Sequence, residues 1–184
     1  MNKFSIFCMK VCRRIINKVR GWYRKTSFLS GVKSYGENVH LLGPVYLWNR
    51  NVILGADINV YPNVTFWGSG NIEIGNNCEI GFNTVLYASQ SIKIMDHVSI
   101  AADCYIIDSN HGIAKDKEIQ SQESVCKGPV LIEEDVWLGA GVKVLSGVHI
   151  GKGAVIGAQA LVNSDIPEYA IAVGVPARVV GYRK

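Results

Sequence analysis

The stretch Ile106–Ile113, IIDSNHGI, sets an acid, a serine, an amide and a histidine side by side in a chain whose apolar residues otherwise recur at a steady beat. His111 is the member of this group that moves a proton near neutral pH, because an unperturbed imidazole titrates near about 6.5. Within hydrogen-bond reach of a hydroxyl, a neutral imidazole serves as a general base. Such a base needs its tautomer held by an acceptor on the second ring nitrogen. Asp108 and Asn110 are the local candidates, and a main-chain carbonyl would serve as well. Asp108 stands only three residues from His111, so it can equally cap a turn. The plain alternative for His111 is a solvated loop histidine. No serine or cysteine is positioned as a covalent nucleophile, which favours direct transfer between two bound reactants.

The elements that must hold these residues follow from a repeat of six. Leu54, Val60 and Phe66 are six apart, as are Ile74, Ile80 and Leu86, then Ile94, Ile100 and Ile106. After an interruption the step runs through Ile132, Leu138, Val144, Ile150, Ile156 and Val162. An α-helix buries no stable stripe at this period, because six residues drift around a 3.6-residue turn. A solenoid of short parallel strands does. Each unit is one side of a triangular coil, the aliphatic residue points inward, and glycine or a small residue permits the corner. About six coils at roughly 4.8 Å each make a prism near 30 Å tall. The earlier triplets begin 20 residues apart and the later ones 18, so two extra residues must bulge at a corner of the earlier coils.

Length and composition suit one folded domain plus an appendage, with 184 residues, 48% of them apolar, 19 glycines and 5 prolines. Residues 1–36 carry nine Lys or Arg and no acid, whereas the remainder has ten basic and fifteen acidic residues. A uniformly basic surface for nucleic acid is thereby excluded, and the positive charge is a local arm. No stretch offers the roughly 18 apolar residues of a transmembrane helix. Five cysteines, Cys8, Cys12, Cys78, Cys104 and Cys126, show no metal-ligand spacing and fit a reducing cytoplasmic compartment.

From about residue 35 to the end, the repeats resemble the hexapeptide-repeat family, whose members form left-handed parallel β-helices. The hand comes from the resemblance alone, since the general crossover rule favours right-handed connections. Members of this family include acyltransferases, zinc enzymes and nucleotidyltransferases. The zinc branch needs two histidines a few residues apart, and His40, His97, His111 and His149 contain no close pair, so no metal is expected. The nucleotidyltransferase branch needs a further domain. The loop that starts at His111, the run DVWLGAGVKVLSGVHIGKGAVIGAQALV and the run SDIPEYAIAVGVPARVV resemble acetyl-CoA-dependent O-acetyltransferases that modify sugars, the galactoside and maltose enzymes among them. The DSNHG form with its long following loop is most similar to lipopolysaccharide and capsule O-acetyltransferases.

The resemblance implies acetyl-CoA as co-substrate, a sugar or lipid-linked oligosaccharide as acceptor, a homotrimer, and His111 as the base. It places Ala140, Ala158, Asn163, Ser164 and Arg178 against the coenzyme; the two alanines also suit any coil corner. Many relatives carry a threonine–lysine pair where Asn163 and Ser164 stand, which leaves Arg178, with Arg183 or Lys184, to meet the phosphates. Lys152 is a further candidate. Trp137 occupies an outward position and suggests something that covers it: coenzyme, acceptor or a second subunit. Asn83 and Tyr87, one coil before His111, are candidates for the sugar, although asparagine ladders also stabilise solenoid corners. Rival readings are an acetyltransferase for an amino sugar or an antibiotic, and a catalytically silent scaffold.

The expected division is a basic helical arm over residues 1–30 and a β-helix domain over 31–184 with a loop at 107–129. At 100° per residue, Phe4, Val11, Cys12, Ile15, Ile16, Val19 and Trp22 share one face of the arm, and Lys10, Arg13, Arg14, Asn17 and Arg20 the other. Lys18 falls at the apolar edge, where it can snorkel. The arm shows no signal-peptide cleavage site. Either it packs its apolar face on the β-helix, or residues 1–25 make peripheral contact with an anionic inner membrane.

Overall fold

A computed structural model describes residues 3–184, with side chains from Phe7 onward, Cys8 apart. Phe4 of the arm's apolar face thus lies outside the described side chains. Residues from Ser34 on wind into a parallel β-helix with three flat faces. The first face stacks the strands Ser34–Tyr35, Val52–Leu54, Asn71–Ile74, Ser91–Ile94, Val130–Ile132 and His149–Ile150. The second runs from His40–Leu41 through Trp137–Leu138 and Val155–Ile156 to a terminal hairpin of Ala170–Val173 with Arg178–Tyr182. The third stacks Tyr46–Leu47, Thr65–Gly68, Val85–Ala88, Tyr105–Ile107, Lys143–Val144 and Leu161–Val162. Pairing within the faces is parallel throughout, except in the terminal hairpin.

The aliphatic residues of the six-residue period form the core. Phe66, Ile80, Leu86, Ile106, Leu138 and Ile156 are fully buried, each above its counterpart in the coil below. The period carries across the interruption. Ile92 pairs with Val130, Ile100 with Leu138 and Ile106 with Val144, so the coil closes as if the inserted residues were absent. The extra residues of the earlier coils fall between the third face and the first, the corner from which the insertion leaves. This is called the loop corner below.

Corners use glycine in two ways, and Gly141, Gly147 and Gly153 take the left-handed conformation in the later coils. The left-handed backbone conformation at the second-to-third corner falls on Asn63, Asn83 and Asp103, with φ of 63°, 58° and 62°, and only then on Gly141. Asn and Asp tolerate that region and hydrogen-bond locally while in it. Side-chain amides join the corners into a ladder, Asn63 to Asn83 at 3.2 Å and Asn83 to Asp103 at 3.1 Å. The glycines that follow the aliphatic positions are needed for coil spacing instead. A Cβ on Gly81 would lie 2.4 Å from the carbonyl carbon of Ala101, and one on Gly75 2.6 Å from that of Met95.

One helix precedes the β-helix, Lys3–Leu29, 27 residues long. Among the described residues, only its foot touches the body. Phe28 is buried with its ring centroid 5.7 Å from that of Phe66, closing the open end of the first coils. Terminal repeats of a solenoid need such a cap. The reading in which the helix lays its apolar face on the β-helix is corrected: Val11, Ile15, Ile16, Val19 and Trp22 are all exposed, Trp22 at 69%. No described helix is long and apolar enough to cross a membrane.

Candidate active site

The inserted segment is built from its root outward. Ile106 is buried in the last third-face strand before the insertion, and Asp108 follows it as the chain leaves the coil. The Asp108 carboxylate is fully buried, with one oxygen accepting the Ser89 N–H at 2.7 Å and the other the N–H groups of Gln90 and Ser91, each at 2.7 Å. A carboxylate that holds three amides fixes the loop corner of the preceding coil and, with it, its own backbone. Of the two roles open to Asp108, turn capping has its hydrogen bonds in place. Both oxygens are occupied there, and none of the described hydrogen bonds joins Asp108 to His111, which corrects its assignment as the residue that orients the base.

A residue that sequence reasoning missed closes the root. Ser146, 6% exposed, donates its hydroxyl proton to the Asp108 carbonyl where the chain leaves and accepts the Lys127 N–H at 2.8 Å where it returns. Its partners lie 38 and 19 residues away, and nothing in LSGV marks this serine from any other. Between these points the segment forms a two-stranded hairpin, Asn110–His111 against Ser124–Val125, with His111 opposite Ser124. Gln122 braces the tip: its Oε1 accepts the Ala114 N–H at 2.8 Å, and its Nε2 donates to the carbonyls of Ala114 and Lys117, both at 3.0 Å. His111 and Asn110 are exposed, and among the described residues no side chain hydrogen-bonds either one. The imidazole is therefore presented to solvent on a rooted hairpin.

The other candidates divide among three edges. Tyr87 lies at the loop corner, its carbonyl 3.4 Å from the Asp108 N–H and its ring edge-on to Trp67 at 5.0 Å. Asn163 and Ser164 are exposed at the same corner, three coils further on. The second-to-third corner collects Asn83, Ala140, Ala158 and Arg178. Ala140 and Ala158 are exposed in successive coils, linked by the Gln159 N–H on the Ala140 carbonyl at 2.8 Å. Arg178 opens the last strand opposite Val173, with its guanidinium on the Ala177 carbonyl at 2.8 Å. Asn83 takes part in the corner ladder with Asn63 and Asp103, and its side chain stays exposed there.

Arg183 parts company with Arg178. It reaches the first-to-second corner, where it binds the Asp135 carboxylate at 2.8 Å and the Gly153 carbonyl at 2.9 Å, clasping the chain end to two coils. The expectation that it shares a phosphate with Arg178 is corrected within one copy, because the width of the second face lies between them. Lys184 follows it, exposed. Lys152 sits at this corner too, its N–H on Glu133 at 2.7 Å; that bond and His149 hold the Glu133 carboxyl below the usual range. Trp137 projects from the second face, 52% exposed, beside an open depression of about 650 Å³ lined also by His97, Ser99 and Arg183. No cluster of three His, Cys, Asp or Glu suited to a metal occurs among the described residues.

Comparison with known proteins agrees with this architecture. Residues 129–164 match the family described as Bacterial transferase hexapeptide (six repeats). The chain is 38% identical over 113 residues to the galactoside O-acetyltransferase of Lactococcus lactis, covering 61% of this chain and 54% of that one. It is 31% identical over 153 residues to a Schizosaccharomyces pombe protein named as an acetyltransferase, covering 78% and 72%. A hexapeptide-repeat acetyltransferase of Vibrio cholerae, solved with acetyl coenzyme A, superposes with a TM-score of 0.64 at 26% identity over 85% of this chain and 74% of that one. The chain spans between 38% and 62% of the length of several other curated relatives.

Proposed function

The chain belongs to the hexapeptide-repeat transferase family, and from that premise we propose that it moves an acetyl group from acetyl-CoA to a sugar hydroxyl. The observation that carries this reading is the solvent-presented imidazole of His111 on a hairpin rooted by Asp108 and Ser146. A coil-anchored loop holds a base in a reproducible place while leaving its ring free for a substrate. In the transfer, His111 takes the proton of the acceptor hydroxyl as its oxygen attacks the thioester carbonyl. The C–O bond forms, the C–S bond breaks, and the imidazolium returns the proton to the departing thiolate. A backbone N–H of a coil corner is the natural donor for the developing oxyanion.

The coenzyme would lie along the corner of Ala140, Ala158 and Arg178, where small side chains let a pantetheine arm approach the main chain and a permanent charge waits for phosphate. That corner and the loop corner are opposite edges of the third face. One copy therefore carries the base and the coenzyme track on different sides, which supports a homotrimer in which His111 of one copy meets the coenzyme held by another. The third face suits such an association, since Tyr46, Trp48, Trp67, Tyr87, Ile107 and Leu145 project outward from it. A surface polysaccharide or its lipid-linked precursor is the acceptor we favour, on the resemblance of DSNHG and the long loop to the enzymes of that branch.

Thiol release from acetyl-CoA against a panel of sugars and amino sugars tests this. His111→Ala should bind coenzyme A normally and turn over two to four orders of magnitude more slowly, the usual share of general-base catalysis. Retention of more than about a tenth of the turnover would remove His111 from the role. Transfer to amino sugars alone would replace the hydroxyl acceptor with an amine.

A further inference from the structure

We propose that the N-terminal helix, Lys3–Leu29, is a docking surface for an anionic membrane, with its apolar stripe lying among the acyl chains and its basic side among the headgroups. The stripe is continuous. At 100° per residue Val11, Trp22, Ile15, Val19, Tyr23 and Ile16 fall within one arc of roughly 140°, and all six are exposed, Val19 at 58% and Tyr23 at 67%. The complementary arc holds Lys10, Arg13, Arg14, Arg20 and Arg24, with Lys18 at the boundary, and all of these are exposed too. Among the described residues none of the six makes an ion pair.

Of the stripe, Tyr23 alone borders the body, in a cleft with Phe28, Leu41 and Pro44, while Ile15, Val19 and Trp22 share a surface with no body residue. Phe28, the residue that plugs the helix into the first coils, follows Val19 by nine residues, half a turn around at 100° each. The foot therefore attaches through the side opposite the stripe, and the rest of the stripe reaches the β-helix only if Phe28 leaves its contact with Phe66.

Charge decides between a lipid surface and a second copy as the occupant. Residues 1–36 contain nine Lys or Arg and no acid, so helices from several copies packed stripe to stripe would gather cations with no counter-charge between them. An anionic bilayer supplies both requirements, acyl chains for an arc wider than a coiled-coil seam and phosphates for the flanking cations. Trp22 and Tyr23 stand where rings with one apolar and one polar side favour the interface.

Cosedimentation of the full chain with vesicles is the test. Vesicles of phosphatidylcholine with phosphatidylglycerol should bind it at least about tenfold more tightly than phosphatidylcholine alone, with the difference shrinking as salt rises. Val19→Glu should abolish binding to both. The combined Arg13→Gln, Arg14→Gln and Arg20→Gln variant should lose the preference for the anionic vesicles and its salt dependence. None of these residues enters the core or the site, so turnover on a soluble sugar should stay unchanged in both variants. Equal partitioning onto neutral and anionic vesicles, or no partitioning of the intact chain, overturns the proposal. So does a Val19→Glu variant that sediments at a lower mass while vesicle binding is unaltered, since the stripe would then join copies of the chain.

Discussion

Asp108 beside His111, and Arg178 beside Arg183, show how neighbouring residues part into different work. Asp108 is the buried anchor of three amides, so Asp108→Asn should remove roughly 2–3 kcal/mol of stability as one charged acceptor becomes an amide donor facing N–H groups. A thermal scan showing no loss of Tm would contradict that account, and His111→Ala, exposed on its hairpin, is the control expected to melt like the parent. The arginines make the second contrast. Arg178→Ala should raise the KM for acetyl-CoA about tenfold with little change toward the sugar, as loss of a phosphate partner does. Arg183→Ala, freed from Asp135 and Gly153, should leave that KM alone and lower Tm by about 2–4 °C. Reversed results would exchange the two roles.

Corners, more than strands, set the character of the elements. Strands of two to five residues hold little by themselves, and stacked side-chain ladders tie one coil to the next. The first-to-second corner depends on charge for this. Asp96 accepts the Asn76 N–H at 2.7 Å and its side-chain amide, and these bonds hold its carboxyl below the usual carboxylate range. Glu133 is lowered in the same way by Lys152 and His149. Groups lowered in the folded chain stabilise it above the ordinary carboxylate value, and that contribution drains away as pH falls from about 4 toward their folded values. Tm should therefore drop over this acid range, and Asp96→Asn, which keeps an acceptor but cannot titrate, should flatten the drop. An unchanged slope in the variant would show that the corner carries no such dependence.

Taken whole, the molecule is a prism with its candidate reactive groups on separate edges and a broad apolar face between two of them. If copies assemble over the third face, the parent should sediment near three times 20.2 kDa. Trp67→Asp, at an outward position of that face, should then sediment as a smaller, still cooperatively folded species with little turnover. A monomeric parent with full activity would exclude a site shared between copies.

The parallel coils, the inward residues and the place of the insertion were legible in the order of residues, because a solenoid repeats the same local interaction at a fixed spacing. Ile100 meets Leu138 in register across the insertion for the reason that made both recognisable. His111 was legible as a break in that rhythm. What each polar residue near it does was not, because polar roles depend on partners distant in sequence. Asp108 was open between orienting a histidine three residues away and capping a turn, and amides 17 to 19 residues earlier settled it. Ser146 carried no mark until the loop's two ends were seen to meet on its hydroxyl. The arm's amphipathic pattern was plain in the sequence, but periodicity cannot say which way a stripe faces; the burial of Phe28 on the opposite side, a tertiary contact, turned it outward.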